Sequence, residues 1–149
     1  MRFSKITLAI GCFVLFSFLF FSPATSYSDE IDIEIEIDVA PNVLNIQSEG
    51  TVVTVHTDIP YSSVDAPTVS LVYDSTVPLN EIEISWWKDD NRGNFVAKFS
   101  MDEVKSLFEE DDMEKYNTYT FVLEGFTTVG DKFSGEQDII VIDVLPKEY

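Results

Sequence analysis

Ile31-Asp32-Ile33-Glu34-Ile35-Glu36-Ile37-Asp38-Val39 alternates apolar and acidic residues without a break. Successive side chains of a β-strand point to opposite faces, so the aliphatic residues share one side and the acids the other. The stretch reads as a single strand with one buried and one wet face. A helix would scatter the same residues around its circumference and leave no apolar stripe.

The pattern continues downstream. Pro41-Asn42 breaks the run, Val43 to Ile46 is a short apolar piece, and Ser48-Glu49-Gly50 turns the chain into Thr51 to Thr57, with Val53 and Val55 inward. Thr68 to Tyr73 puts Val69, Leu71 and Tyr73 in phase. Leu79 to Trp87 alternates through Ile82, Ile84 and Trp86, and Asn94 to Phe99 through Phe95, Ala97 and Phe99. Tyr116 to Thr127 is a long strand with Tyr119, Phe121 and Leu123 on one side. A turn at Val129-Gly130-Asp131 leads to a short Lys132–Ser134 strand and then to Gln137–Val144, whose consecutive apolar residues predict burial on both faces.

One helix is expected among these strands, at about 101–109. Ser100 followed by Glu103 is a capping box, because hydroxyl and carboxylate can each satisfy a backbone N–H that the first helical turn leaves unpaired. Val104, Leu107 and Phe108 then form an i, i+3, i+4 stripe. About seven short strands with a single helix predict an all-β, immunoglobulin-like antiparallel β-sandwich. Parallel α/β architecture is disfavoured, since its crossovers need a helix between most strand pairs.

Upstream of the alternating stretch the chain has a different character. Arg2 and Lys5 precede an uncharged apolar run from Ile6 to Phe21, and Ala24-Thr25-Ser26 follows with small residues. That order is expected of an export signal cleaved after about residue 26, leaving a single domain over 27–149 with its core at about 43–145. The run falls short of the roughly 20 residues that span a bilayer, so an uncleaved anchor is the lesser alternative. Lipidation at Cys12 is a weaker one still, because apolar residues continue past the cysteine. The expected location is secreted or cell-surface, with no membrane insertion after cleavage.

Without residues 1–26 the nine basic residues fall to seven, against 27 acids, a net charge of −20. Such a chain repels phosphate polymers and disfavours nucleic acid as a partner. Cys12 is the one cysteine, so the domain has no disulfide available and depends on packed apolar surface. His56 is the one histidine, which excludes a Cys-His nucleophile and a multi-histidine zinc site within one chain. His56 is in phase with Thr54 and is expected to point outward, and no Gly-x-Ser-x-Gly elbow accompanies it. No catalytic residue and no cofactor is assigned, and the chain is expected not to be an enzyme.

Trp86 and Trp87 are adjacent and must point to opposite faces. Phase with Ile82 and Ile84 sends Trp86 inward. Trp87 then joins Glu81, Glu83 and Ser85 outside, where its ring is a candidate contact for a sugar or a protein.

The run Leu44 to Val55, the segment Val96 to Val104 and Phe133-Ser134-Gly135 before Asp138 to Ile142 together resemble a family of small modules in exported bacterial and archaeal surface proteins. The resemblance covers most of Val43 to Leu145 and implies no catalytic activity. In many members the turn before the Val-Ala-Lys-Phe segment looks like a calcium loop. Here that turn is Asp89-Asp90-Asn91-Arg92-Gly93, and placing Gly93 at the loop glycine puts Lys88, Asp90 and Arg92 at the alternate ligand positions. Two of those are cations, so only Asp89, Asp90 and Asn91 remain as metal candidates. Glu109 to Glu114 is a second acidic patch with the same possible chemistry. The expected function is a non-enzymatic exported structural or interaction module with an acidic surface. The alternatives are a carbohydrate-binding or enzyme-inhibitor module, with a protein or glycan partner, and a calcium-binding surface domain.

Overall fold

The computed structural model describes residues 32–73, 81–108 and 116–145. The expected signal at 1–26, Cys12 within it, and the acidic patch at 109–114 lie outside the described residues.

The domain is all-β, with two sheets and one short helix. In chain order the strands are β1 (Asp32–Glu34), β2 (Ile37–Ala40), β3 (Val43–Asn45), β4 (Val52–Pro60), β5 (Ser70–Tyr73), β6 (Glu81–Glu83), β7 (Trp86–Asp89), β8 (Asn94–Ser100), β9 (Tyr116–Phe126) and β10 (Lys132–Ile142). The helix α1 (Met101–Ser106) follows β8 directly. One sheet has six strands in the order β1-β10-β9-β5-β6, with β3 also on β10, and the other has four in the order β2-β4-β8-β7.

Ten described strands replace the expected seven because two of the expected strands change sheets partway along. Ile35 donates its N–H to Ser134 O at 2.9 Å in the six-stranded sheet. The next residue, Glu36, accepts from Asp58 N at 3.2 Å and donates to Asp58 Oδ1 at 2.9 Å, beside the four-stranded sheet. The same handover occurs between Ile84, which donates to Val69 O at 3.3 Å, and Ser85, which donates to Lys98 O at 2.9 Å. Two twisted sheets approach each other at their corners, where a bent strand can serve both.

The six-stranded sheet is mixed rather than antiparallel. β1 and β3 both pair parallel with β10, at Ile33↔Phe133 and Leu44↔Val141, while β9 and β10 pair antiparallel over their whole length. β10 is one continuous strand where two were expected. It is also buried on one face only: Ile139 and Val141 are fully buried, whereas Ile140 is 44% exposed.

The core lies between the sheets. Val39, Val53, Val55, Phe95, Ala97 and Phe99 face Leu71, Ile82, Phe121, Leu123, Phe133 and Ile139, all buried. α1 packs against the core by Met101 and Val104, and Phe108 beyond its end sits 4.9 Å from Tyr119 and 5.1 Å from Tyr73 between ring centres. Ser100 caps the helix as the sequence indicates, accepting from Glu103 N at 3.5 Å, and Lys105 Nζ donates to Ser48 O. Among the described residues no helix is long and apolar enough to cross a membrane.

Candidate functional site

The outward face of the four-stranded sheet gathers side chains of unusual character for this chain. Register places Trp86, Lys98, Thr54 and Ala40 side by side in one row, and Lys88, Val96, His56 and Asp38 in the next. Trp86 is 50% exposed, and Lys98 Nζ lies 4.9 Å from its ring centroid. Such a cation over an indole face contributes about 0.5–1 kcal/mol at an exposed site. Val96 is fully buried although it faces outward, an apolar floor between His56 and Lys88. Among the described residues neither Lys88 nor Lys98 makes an ion pair.

Trp86 and Trp87 exchange the faces that the alternation predicts. Trp87 pairs with Ala97, is half-buried and packs against the core, so it is not an outer contact residue. The cause is the corner at Ile84-Ser85. Ser85 is exposed as well as Trp86, so the alternation that holds through Ile82 slips by one residue when the chain joins the other sheet. At Ile35-Glu36 the phase survives the crossing: Ile35 and Val39 are buried, Ile33 and Ile37 are half-buried, and Asp32, Glu34, Glu36 and Asp38 are exposed.

The metal candidates sit on the β7–β8 hairpin. Asp90 Oδ1 accepts from Arg92 N at 2.7 Å and from Asn94 N at 2.9 Å, and its Oδ2 lies 3.4 Å from Arg92 Nε. Gly93 closes the turn with φ +82°, a conformation that glycine adopts without a Cβ penalty. The Asn94 N–H is the main reason that the Asp90 carboxyl is held below its ordinary value. The Arg92 N–H and guanidinium add to it, against an opposing desolvation. This carboxylate is therefore engaged in shaping the turn. Asp89 and Asn91 are exposed beside it, and among the described residues no group of three or more His, Cys, Asp or Glu is placed to hold a metal ion.

The other outward face is acidic. Register aligns Glu34, Ser134, Glu124, Ser70 and Glu83 in one row and Glu136, Val122, Val72 and Glu81 in the next. Lys132 meets Glu124 at 3.0 Å. Beside this face, at the β1–β2 crossing, an open cleft of about 690 Å³ is lined by Asp32, Glu34, Glu36 and Glu136 over Ile35 and Ile37. A smaller depression of about 360 Å³ lies at the β2–β4 side of the other face, between Asp38, Asp58, His56 and Arg92.

The arrangement offers two unlike surfaces, one acidic and one with a tryptophan between lysines. The sequence contains the ingredients of the second, but the adjacent pair Trp86-Trp87 does not say which ring is outside. Only the position of Ser85 at a corner decides it. Searches of protein-family models, of curated proteins and of solved structures find no match, so the two-sheet, all-β domain is established by its own geometry alone.

Proposed function

We propose that this chain is an exported, non-enzymatic interaction module of immunoglobulin-like type, and that it makes contact through the outward face of its four-stranded sheet. The observation that carries the proposal is Trp86, half exposed on a flat sheet face beside Lys98. A large ring left in water contributes little to folding, whereas the same ring covered by a partner gains its burial energy on association. The leader-like order of residues 1–26 and the resemblance to surface modules support an extracellular setting. The two-sheet layout with a strand shared between sheets supports the immunoglobulin-like assignment.

The test is capture of cell-envelope material, both polysaccharide and protein, by the immobilised mature chain and by its Trp86→Ala variant. Loss of captured material in the variant is expected. Equal capture by both removes this face as the contact, and turnover of any ester, glycan or peptide that depends on a residue of the mature chain overturns the non-enzymatic assignment.

A further inference from the structure

We infer that the β7–β8 half of this face binds a linear acidic saccharide, with Trp86 stacking on the apolar face of a sugar ring and Lys98 and Lys88 meeting its carboxylates. The inference rests on the proposal that this face is the contact surface, and it names the class of ligand.

Three observations lead to it. The first is charge. Among the described residues the chain has five cations, and Lys88 and Lys98 both stand on this outward face without an ion-paired acid, whereas the opposite face carries Glu34, Glu81, Glu83, Glu124 and Glu136. The sheets of a sandwich lie about 10 Å apart. Charges separated by more than about 8 Å are largely screened at physiological salt, so the acids of the far face weaken a negative ligand's attraction to Lys88 and Lys98 only slightly.

The second is the pairing of an indole with an ammonium 4.9 Å from its centre. A sugar acid presents the matching pair, a C–H face and a carboxylate on the same ring. Asp38 at the β2 end of the neighbouring row repels that carboxylate and confines the ligand to β7 and β8.

The third is size. Four strands about 4.8 Å apart, each showing a side chain outward about every 7 Å, give a face roughly 15–20 Å on a side. That area is roughly 300–400 Å², well below the about 800 Å² per partner of a stable protein interface. A second copy presenting its acidic face would be complementary in charge but meets the same shortage of area. A chain of a few sugars does not.

The experiment uses the full mature chain and titrates it with polygalacturonate oligomers, with the same oligomers methyl-esterified, and with single-stranded DNA. Binding to the charged oligomer is expected to exceed that to the ester and the DNA by about tenfold or more. Trp86→Ala and the double variant Lys88→Gln/Lys98→Gln are each expected to lose about tenfold, with unchanged melting temperature, and Trp86→Tyr to recover most of it. Glu83→Gln on the opposite face is expected to bind as the native chain does.

Trp86-dependent binding of ester and acid alike overturns the acidic class and leaves the contact surface standing. Equal binding of DNA shows plain polyanion attraction and overturns it. Self-association that Trp86→Ala abolishes, without saccharide binding, assigns the face to a second copy instead. No binding of the acidic oligomer at millimolar concentration also overturns the inference. The proposed contact surface fails separately, only if Trp86→Ala changes none of the captures described above.

Discussion

The Val39 N–H donates to Gln137 Oε1 at 2.7 Å across 98 residues of sequence. Val39 lies in β2 of the four-stranded sheet and Gln137 in β10 of the six-stranded one, between the points where β1 and β3 pair with β10. The chain leaves β10 at Ile35 and returns at Asn42, where Ile140 N donates to Asn42 O at 3.0 Å. Gln137 thus satisfies, with a side chain, a buried donor that no strand of its own sheet reaches.

Gln137→Ala removes that acceptor and leaves the Val39 N–H unpaired in a part-buried place. A loss of about 1–3 kcal/mol is expected, read from urea unfolding monitored by circular dichroism. A loss below about 0.5 kcal/mol would mean that water reaches Val39.

Gly135 lies beneath the crossing strand. A Cβ there would stand 2.6 Å from Ile35 O and 2.8 Å from Ile37 Cγ2, and the first of these is backbone. Gly135→Ala therefore pushes β1 and β2 off β10, and overpacking of this kind costs about 1–3 kcal/mol or more. Gly93→Asn is the contrast: nothing lies within 4 Å of its Cβ, and asparagine tolerates the positive φ. It is expected to shift the unfolding midpoint far less than Gly135→Ala.

Trp87→Ala and Trp86→Ala should separate cleanly. Trp87 packs against the core, and its loss is expected to cost about 2–4 kcal/mol, while Trp86→Ala is expected to cost about 1 kcal/mol or less. Iodide quenching of tryptophan fluorescence gives an independent check. The accessible component should vanish in Trp86→Ala and persist in Trp87→Ala.

Asp90→Asn keeps an oxygen facing the N–H groups of Arg92 and Asn94 but cannot ionise. Because the native carboxyl titrates below its ordinary value of 3.8, its stabilising contribution is complete above that value and fades as pH falls through the lower folded-state value. The native chain should therefore melt higher than Asp90→Asn at pH 6, and the gap should close progressively below pH 4. A gap that stays constant down to pH 2 would show that the charge of Asp90 is not what stabilises the turn.

Most of the inner face was legible in the residues because alternation is a local property of a strand. Val53, Val55, Phe95, Ala97, Phe99, Phe121 and Leu123 are buried where their phase puts them. The corners were not legible, because a change of sheet is decided by which neighbour a backbone N–H reaches, and Ile84 and Ser85 carry no sign of that. For the same reason the direction of pairing was hidden: nothing in Val43-Leu44-Asn45 says that it runs parallel to Ile140-Val141-Ile142. The candidate site inherits this limit. Both tryptophans were identifiable as surface or core residues, but their assignment turned on Ser85.

The parallel pairing of β1 and β3 with β10 has a mechanical consequence. Strands that run the same way, when tugged at the start of one and the end of the other, slide along their shared axis, so their cross-links resist together instead of opening in succession like a zip. A stretching force between the early strands and the end of β10 falls on these contacts in shear, the direction in which a sheet yields last.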